Sequence, residues 1–162
     1  MKQVWAPWRI KYILGKKQKK CFLCVRKTKD YARKQLILKE SKHALVMLNK
    51  YPYTAGHLMV VTRKHVPCLE TLTQDELTDF FMLVRFSSSA LMKAINPDGM
   101  NMGANIGKAA GAGAEDHFHF HIVARWNGDN NFLPVLGKTM VMSEYLEKTY
   151  DRLLPFFKKV DI

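Results

Sequence analysis

Apolar residues in the first half of the chain fall into three short, nearly continuous runs. The runs cover Leu36 to Lys39, His43 to Leu48 and His57 to Thr62, and they are rich in residues that favour strands. A loop containing Pro52 and Gly56 separates the second run from the third. The pattern predicts three strands that are neighbours in one sheet.

A long amphipathic helix should follow the third run. Thr73 and Glu76 have the spacing of a capping box, in which the threonine hydroxyl covers a free backbone amide and the glutamate reaches back. The turn-forming stretch Asn96 to Gly99 should end the helix. Apolar side chains recur between these limits at helical spacing, at Leu77, Phe80, Phe81, Val84, Leu91 and Ile95.

The second half of the chain adds two strands and a shorter helix. Met100 to Ile106 is typical of a weak strand, Gly107 to Gly113 of a loop, and His117 to Trp126 of a strong strand. A last helix should begin near Ser143, as an N-cap, and end or kink at Pro155. About five strands, one long helix and a C-terminal helix predict the α+β class with a mostly antiparallel sheet.

Length and composition favour one domain over residues 1–162. The chain has 162 residues and is 48% hydrophobic, which is enough for one core. Residues 1–35 are basic and without a clear period, so we expect an irregular arm with short helical pieces. No stretch is long and apolar enough to cross a membrane, and the start lacks a secretory signal, so we expect a soluble cytoplasmic protein with no membrane partner.

The formal net charge of +12 should attract polyanions such as nucleotides, nucleic acids or acidic lipid surfaces. The densest basic run, Lys16 to Lys20, fits a solvated or frayed segment as well as a dedicated binding patch. Charge therefore leaves open a basic nucleic-acid-binding module without turnover, as an alternative to an enzyme.

Three histidines alternate with apolar residues in the strongest strand. A period of two puts His117, His119, His121 and Arg125 on one face, with the imidazoles roughly 7 Å apart. Imidazole is largely neutral and nucleophilic at neutral pH, and phosphorus bonded to it stays activated. The pattern fits catalysis on a phosphate, a metal site or an indifferent polar face, and spacing does not decide among them.

The loop before the triad suits phosphate binding. Small residues let backbone amides approach a phosphate closely, which makes Gly111 and Gly113 candidate substrate-binding positions, and Lys108 adds positive charge. Glycine-rich loops more often simply turn the chain, so this signal is weak alone.

Cys21 and Cys24 form a Cys-x-x-Cys pair, whose spacing lets both sulfurs bind one tetrahedral ion such as zinc. Two reduced core cysteines or a redox pair are the alternatives. The total of three cysteines argues against a disulfide framework, and Cys68 is most simply a small buried hydrophobe.

His117 to Val123 resembles the signature of the histidine triad (HIT) superfamily. Asn49 with the Gly56-His57 stretch, and the loop of Asn105, Gly107 and Gly111, are similar to its supporting motifs. The segments Trp5 to Arg9 and Trp126 to Pro134 resemble the branch that acts on diadenosine polyphosphates, so the resemblance covers nearly the whole chain. Two departures are Ala124 and the stretch Thr62 to His65, which lack prolines common there.

The resemblance implies a five-stranded antiparallel sheet, commonly in a homodimer, and a reaction through a nucleotidyl-enzyme. Carried over by position, His119 is the nucleophile and His121 the donor to the α-phosphate, while His57 braces the hydrogen bonding of the nucleophile. Asn49 would contact the ribose and Asn105 the phosphates.

The resemblance also implies the rest of a structural zinc site. In zinc-bearing members the remaining ligands are the histidine that ends the strand after the Gly-His pair and the first triad histidine. These are His65 and His117 here, and His43 is the rival third ligand.

The leading functional hypothesis is a dinucleoside polyphosphate hydrolase, with diadenosine tetraphosphate as substrate and water as the second acceptor. Inorganic phosphate as acceptor would make the enzyme a phosphorylase, and a P–N substrate would make it a nucleoside phosphoramidase. A zinc-stabilised interaction protein is the remaining alternative.

Overall fold

The computed structural model describes residues 21–129 and 144–158, and a five-stranded sheet lies at the centre of these residues. The strand order is β1-β2-β3-β5-β4, and every neighbouring pair is antiparallel. The α+β prediction with an antiparallel sheet is therefore confirmed. The strands are β1 (Ile37–Glu40), β2 (Ala44–Leu48), β3 (Leu58–Thr62), β4 (Gly99–Gly103) and β5 (His119–Arg125).

Three α-helices accompany the sheet in the described ranges: α1 (Tyr31–Lys34), α2 (Gln74–Ile95) and α3 (Leu146–Lys158). The predicted capping box is present at the start of α2. The Thr73 hydroxyl accepts from the Glu76 amide at 3.3 Å, and the Glu76 carboxylate accepts from the Thr73 amide at 2.8 Å. No helix in the part of the chain that the structure describes has the length and apolar character of a membrane span.

Apolar side chains cover both faces of the sheet. Helices α2 and α3 pack on one face, where alternate strand residues such as Val46, Val60 and Ile122 meet Phe80 and Phe157. The arm before β1 covers the other face, where fully buried Leu23 lies among strand residues. Because both faces are covered, β2 and β3 are buried at every position. The strand residues around Leu23 are Ile37, Leu45, Met47, Met59 and Val61.

Two predicted strand boundaries were wrong. Strand β4 ends at Gly103 rather than Ile106, because the chain leaves the sheet and turns at Gly107, where φ is +76°. Strand β5 begins at His119 rather than His117, because the Phe118 amide donates to the Val66 carbonyl at 2.6 Å, outside the sheet.

Helix α3 continues through Pro155 to Lys158 instead of ending at the proline. Pro155 removes one backbone amide from the helix, but the buried Phe157 beyond it packs on Phe86, with 5.6 Å between ring centroids, and this contact favours continuation of the helix. The Lys39 ammonium also donates to the Phe157 carbonyl. The helix starts at Leu146; Ser143, Trp5 to Arg9, Lys16 to Lys20, and the positions from 130 to 134 lie outside the described residues.

Gly56 lies in the loop that leads into β3, where its backbone conformation favours glycine. Its φ of +73° is in the left-handed region, and an added Cβ would lie 2.7 Å from Ile95 Cδ1. We expect Gly56→Ala to lower the free energy of unfolding by about 1–2 kcal/mol, the usual cost of that conformation for a residue with a Cβ. Urea unfolding measures the change. Gly99→Ala is the control, because a Cβ there meets nothing within 4 Å; equal effects of the two variants would contradict the prediction.

Candidate active site and metal cluster

Strand register places two triad histidines on the face covered by the arm. His119 lies opposite Val61 and His121 lies opposite Met59, and these two partners belong to the apolar cluster around Leu23. His57 precedes β3 and is completely buried. The predicted alternation is therefore present for His119 and His121, whose rings are 5.0 Å apart between centroids and nearly perpendicular.

The ring of His119 is oriented by a backbone carbonyl. Its Nδ1 lies 2.8 Å from the carbonyl oxygen of His117. A carbonyl only accepts hydrogen bonds, so the proton of neutral His119 is on Nδ1 and the lone pair is on Nε2. This is the tautomer that a nucleophilic imidazole needs.

Two successive hydrogen bonds fix the tautomer of His121. The backbone amide of Tyr53 donates to His57 Nδ1 at 3.0 Å, so the proton of His57 is on Nε2. His57 Nε2 lies 2.9 Å from His121 Nδ1 and donates to it. His121 therefore carries its own proton on Nε2, where it can donate to a ligand oxygen.

His57 thus contacts a different partner from the one predicted. The sequence prediction made it a brace for the hydrogen bonding of His119, but its side chain hydrogen-bonds His121. The carbonyl of His117 already occupies His119 Nδ1. The two triad histidines are consequently oriented by separate partners, one by a backbone carbonyl and the other by an imidazole.

Burial keeps His57 and His121, here called the histidine pair, neutral. Burial, together with the neighbouring imidazoles of His121 and His119, lowers the pKa of His57 to about 3. Burial and the neighbouring His119 lower the pKa of His121 to about 4. Both rings therefore act as neutral hydrogen-bonding groups at neutral pH.

These lowered pKa values predict that stability falls with decreasing pH. Unfolded histidine takes up a proton near pH 6.5, whereas folded His57 and His121 do so only near pH 3 and 4. Between these values the unfolded chain binds more protons, so the stability that is present above pH 6.5 is lost as the pH falls through this window. We expect His57→Gln, which removes one such group, to weaken the pH dependence of the melting temperature.

Thermal melts at a series of pH values measure this effect, with His43→Gln as the control for a histidine outside the pair. Identical slopes for the wild type and His57→Gln would show that His57 does not contribute.

The loop from Asn49 to Gly56 holds the buried histidine in place. The Asn49 side-chain oxygen accepts from the Tyr51 amide at 2.9 Å, and its nitrogen lies 3.4 Å from His57 Nδ1. Thr54 Oγ1 donates to the Ala124 carbonyl of β5 at 2.9 Å. Asn49 therefore shapes this loop, and its predicted contact with a ribose stays a prediction.

The glycine loop uses some of its amides internally. The Gly111 amide donates to the Lys108 carbonyl at 3.0 Å, and the Ala112 amide donates to the Gly107 carbonyl at 3.3 Å. The predicted phosphate contacts of Gly111, Gly113 and Asn105 remain predictions. Arg125, on the same face as the triad, is bound by Asp129 and Asn101.

Gly103 adds no side chain on the β4 side of His121. Gly103 of β4 pairs with His121 across the sheet. A Cβ added at Gly103 would meet nothing within 4 Å. The glycine therefore places no side chain beside His121 in the described part of the chain.

The structure brings Cys21, Cys24, His65 and His117 together. Their ligand atoms all lie within 4.8 Å of one another. His117 Nδ1 is 3.4 Å from the Cys21 sulfur and 3.6 Å from the Cys24 sulfur, and His65 Nδ1 is 3.3 Å from the Cys24 sulfur. The arm, the segment after β3 and the segment before β5 thus meet at one point.

This donor set fits a tetrahedral metal. The edge of a zinc tetrahedron with mixed sulfur and nitrogen ligands is about 3.5 Å long, close to the observed separations. His117 Nε2 donates to the Thr62 carbonyl at 2.7 Å, which leaves the lone pair of Nδ1 facing the sulfurs. Burial lowers the pKa of His117, which favours the neutral, ligating form. These four residues can therefore hold a metal ion.

Two other candidate residues lie outside this cluster. His43, the rival third ligand, is not among its members, and its Nε2 is buried without a hydrogen-bond partner in the described part of the chain. Cys68 is only partly buried, contrary to the prediction, because it lies at the start of a short surface turn beside Glu70.

Sequence reasoning missed the groups that orient the histidines. The Tyr53 amide, the Thr62 carbonyl and the His117 carbonyl are backbone atoms, which every residue type supplies. The one available signal was the Tyr-Pro-Tyr turn of residues 51–53, which precedes His57 closely enough to contact it.

Known proteins match the chain over most of its length. The HIT domain family matches residues 32–128. A Mycobacterium tuberculosis protein named AP-4-A phosphorylase is 30% identical over 159 residues, which cover 92% of this chain and 80% of the relative. A Dictyostelium discoideum bis(5'-adenosyl)-triphosphatase is 30% identical over 122 residues, covering 72% of this chain and 81% of the relative.

A solved structure agrees with the fold as well. It is a hypothetical histidine triad nucleotide-binding protein from Sulfolobus tokodaii, with a TM-score of 0.63 and 26% identity, and the match covers 76% of this chain and 83% of that one. Fold, triad and sequence similarity therefore agree, and the chain belongs to the histidine triad (HIT) family.

Proposed function

We propose that the chain cleaves dinucleoside polyphosphates, with diadenosine tetraphosphate as the substrate, through a covalent nucleotidyl intermediate on His119. The observation that carries the proposal is the hydrogen bond from His119 Nδ1 to the His117 carbonyl, which leaves Nε2 as the nucleophilic atom. The neighbouring N–H of His121 supplies a donor for a phosphate oxygen. The names of the two curated relatives support this class of substrate.

The first step is attack by His119 Nε2 on the α-phosphorus. A P–N bond forms while the bond from that phosphorus to its bridging oxygen breaks, and ATP leaves from diadenosine tetraphosphate. The His121 N–H stabilises the charge that develops on a non-bridging oxygen. In the second step an acceptor attacks the same phosphorus, the P–N bond breaks and the imidazole is regenerated.

Two acceptors are consistent with this site. Water gives AMP and makes the protein a hydrolase, which is the leading hypothesis from the sequence. Inorganic phosphate gives ADP and makes it a phosphorylase. The second candidate is favoured by a specific observation, because the relative whose match covers 92% of the chain is named a phosphorylase.

The experiment is mass spectrometry of protein quenched with alkali during turnover of diadenosine tetraphosphate, because the P–N bond of a nucleotidyl-histidine hydrolyses in acid. We expect one adenylyl group on a peptide that contains His119, and its absence during measurable turnover would contradict the covalent route. Product analysis with and without phosphate assigns the acceptor, since ADP appears only when phosphate attacks. Adenosine phosphoramidate as a competing substrate tests the phosphoramidase alternative.

We also propose that the Cys21, Cys24, His65 and His117 cluster holds one structural zinc. The support is the spacing of the four donor atoms and the free lone pair of His117 Nδ1. When bound, the ion would join the arm to the segment before β5 and take no part in phosphoryl chemistry. These ligands remain separate from the two imidazoles assigned to the substrate.

A homodimer is the proposed assembly. β4 lies at an end of the sheet in the described residues, and its Met102 is 44% exposed. A strand edge that no described residue covers and that carries an exposed apolar side chain favours pairing with another chain. Sedimentation should give twice the chain mass for the wild type, and Met102→Lys should shift the equilibrium toward monomer; a monomeric wild type would contradict the proposal.

A further inference from the structure

Tyr53 places an aromatic ring beside the histidine pair. Its ring centroid is 4.6 Å from that of His57 and 6.0 Å from that of His121, with tilted planes. His57 is completely buried, whereas Tyr53 is 49% exposed. The tyrosine therefore packs against an internal imidazole and still presents much of its surface to solvent.

About half of the Tyr53 side chain stays exposed although its ring packs on His57. The contribution of Tyr53 to the tautomer of His57 comes from its backbone amide, which any residue except proline supplies. An exposed aromatic ring next to a group that donates to phosphate is the arrangement that suits a nucleobase, because every base has a π-face that can stack on it.

We propose that the Tyr53 ring is a stacking surface for a purine base of the substrate. The inference rests on the proposed function, because it requires a nucleotide phosphate at His119 and His121. When the phosphate of a nucleotide accepts a hydrogen bond from the His121 N–H, its base can stack on the neighbouring Tyr53 ring.

Calorimetric binding of AMP and of inorganic tripolyphosphate to the full chain tests the proposal. We expect Tyr53→Leu to weaken AMP binding about 5- to 100-fold, the effect of removing one base–aromatic stack, and to leave tripolyphosphate binding unchanged. Tyr53→Phe keeps the ring and should bind both ligands as the wild type does. Tyr145→Leu is the matched control, because Tyr145 is 77% exposed and precedes α3, which packs on the opposite face of the sheet.

Three results would overturn the inference in distinguishable ways. Equal weakening of AMP and tripolyphosphate by Tyr53→Leu would mean that the ring only supports His57 and His121. Unchanged binding of both ligands would mean that no base stacks on it. Failure of the wild type to bind either ligand would remove the proposed nucleotide function itself, and the inference with it.

Discussion

His119→Ala should reduce turnover of diadenosine tetraphosphate by at least about 10,000-fold, the scale of loss when a covalent nucleophile is removed. The reason is that the variant has no atom to form the P–N bond, whereas His121 keeps the N–H fixed by His57. Substrate binding and the far-ultraviolet circular dichroism spectrum should remain close to those of the wild type. Steady-state kinetics with product separation measures the loss.

His43→Ala is the control, because it removes a partly buried histidine that lies outside the candidate site. It should retain wild-type turnover. A second variant, His119→Gly, tests the chemistry directly, since added imidazole can take the place of the missing ring and restore part of the activity. Undiminished turnover by His119→Ala would refute the assigned role, and strongly salt-dependent binding to DNA or RNA without turnover would favour the nucleic-acid-binding alternative.

Alternation in the sequence was sufficient to predict the shared face of His119 and His121. A strand turns successive side chains to opposite sides, so the pattern alone determines this part of the geometry. His117 illustrates the limit of that rule. Its ring reaches the Thr62 carbonyl, 55 residues earlier in the chain, and no residue type marks such a partner in advance.

The burial of the second sheet face could be predicted only in part. Nearly continuous apolar strands indicate that both faces are covered, because a half-exposed strand alternates instead. The covering segment was harder to identify. Leu23 lies between two cysteines in a basic arm without a clear period, and its burial depends on contacts with β2 and β3 that are distant in sequence.

The two tautomers could not be predicted for a related reason. Residue types identified the histidines, but the protons are placed by the Tyr53 amide on one side and the His117 carbonyl on the other. Backbone groups are chemically alike along the chain, and only the fold selects which one meets a given ring. The assignment of a nucleophilic nitrogen therefore required three-dimensional structure.

His117 links the metal cluster to the candidate active site. Its ring nitrogens face the two sulfurs and the Thr62 carbonyl, while its own carbonyl accepts from His119 Nδ1. Anything that fixes the backbone of His117 consequently fixes the ring of the nucleophile. A metal held by this cluster would stabilise the fold and preserve the orientation of His119 without contacting the substrate.

Cys21→Ser should therefore lower metal content, stability and activity together. We expect about one zinc per chain in the wild type, as for a single four-ligand site. Loss of a ligand should lower the melting temperature by on the order of 10 °C, which corresponds to a few kcal/mol for a domain of this size. Metal analysis and thermal melts measure both quantities.

Cys68→Ser provides the matched control, because Cys68 is also partly buried but has no place in the cluster. It should keep the wild-type zinc content and melting temperature. The activity of Cys21→Ser should fall in proportion to the fraction of molecules that are unfolded or in which His119 is misoriented. His119→Ala should instead lose activity while it keeps its zinc and its melting temperature. Protein prepared without chelator that contained no zinc would remove the metal site, and the orientation of His119 would then depend on hydrogen bonds of the protein, among them the one between His117 and Thr62.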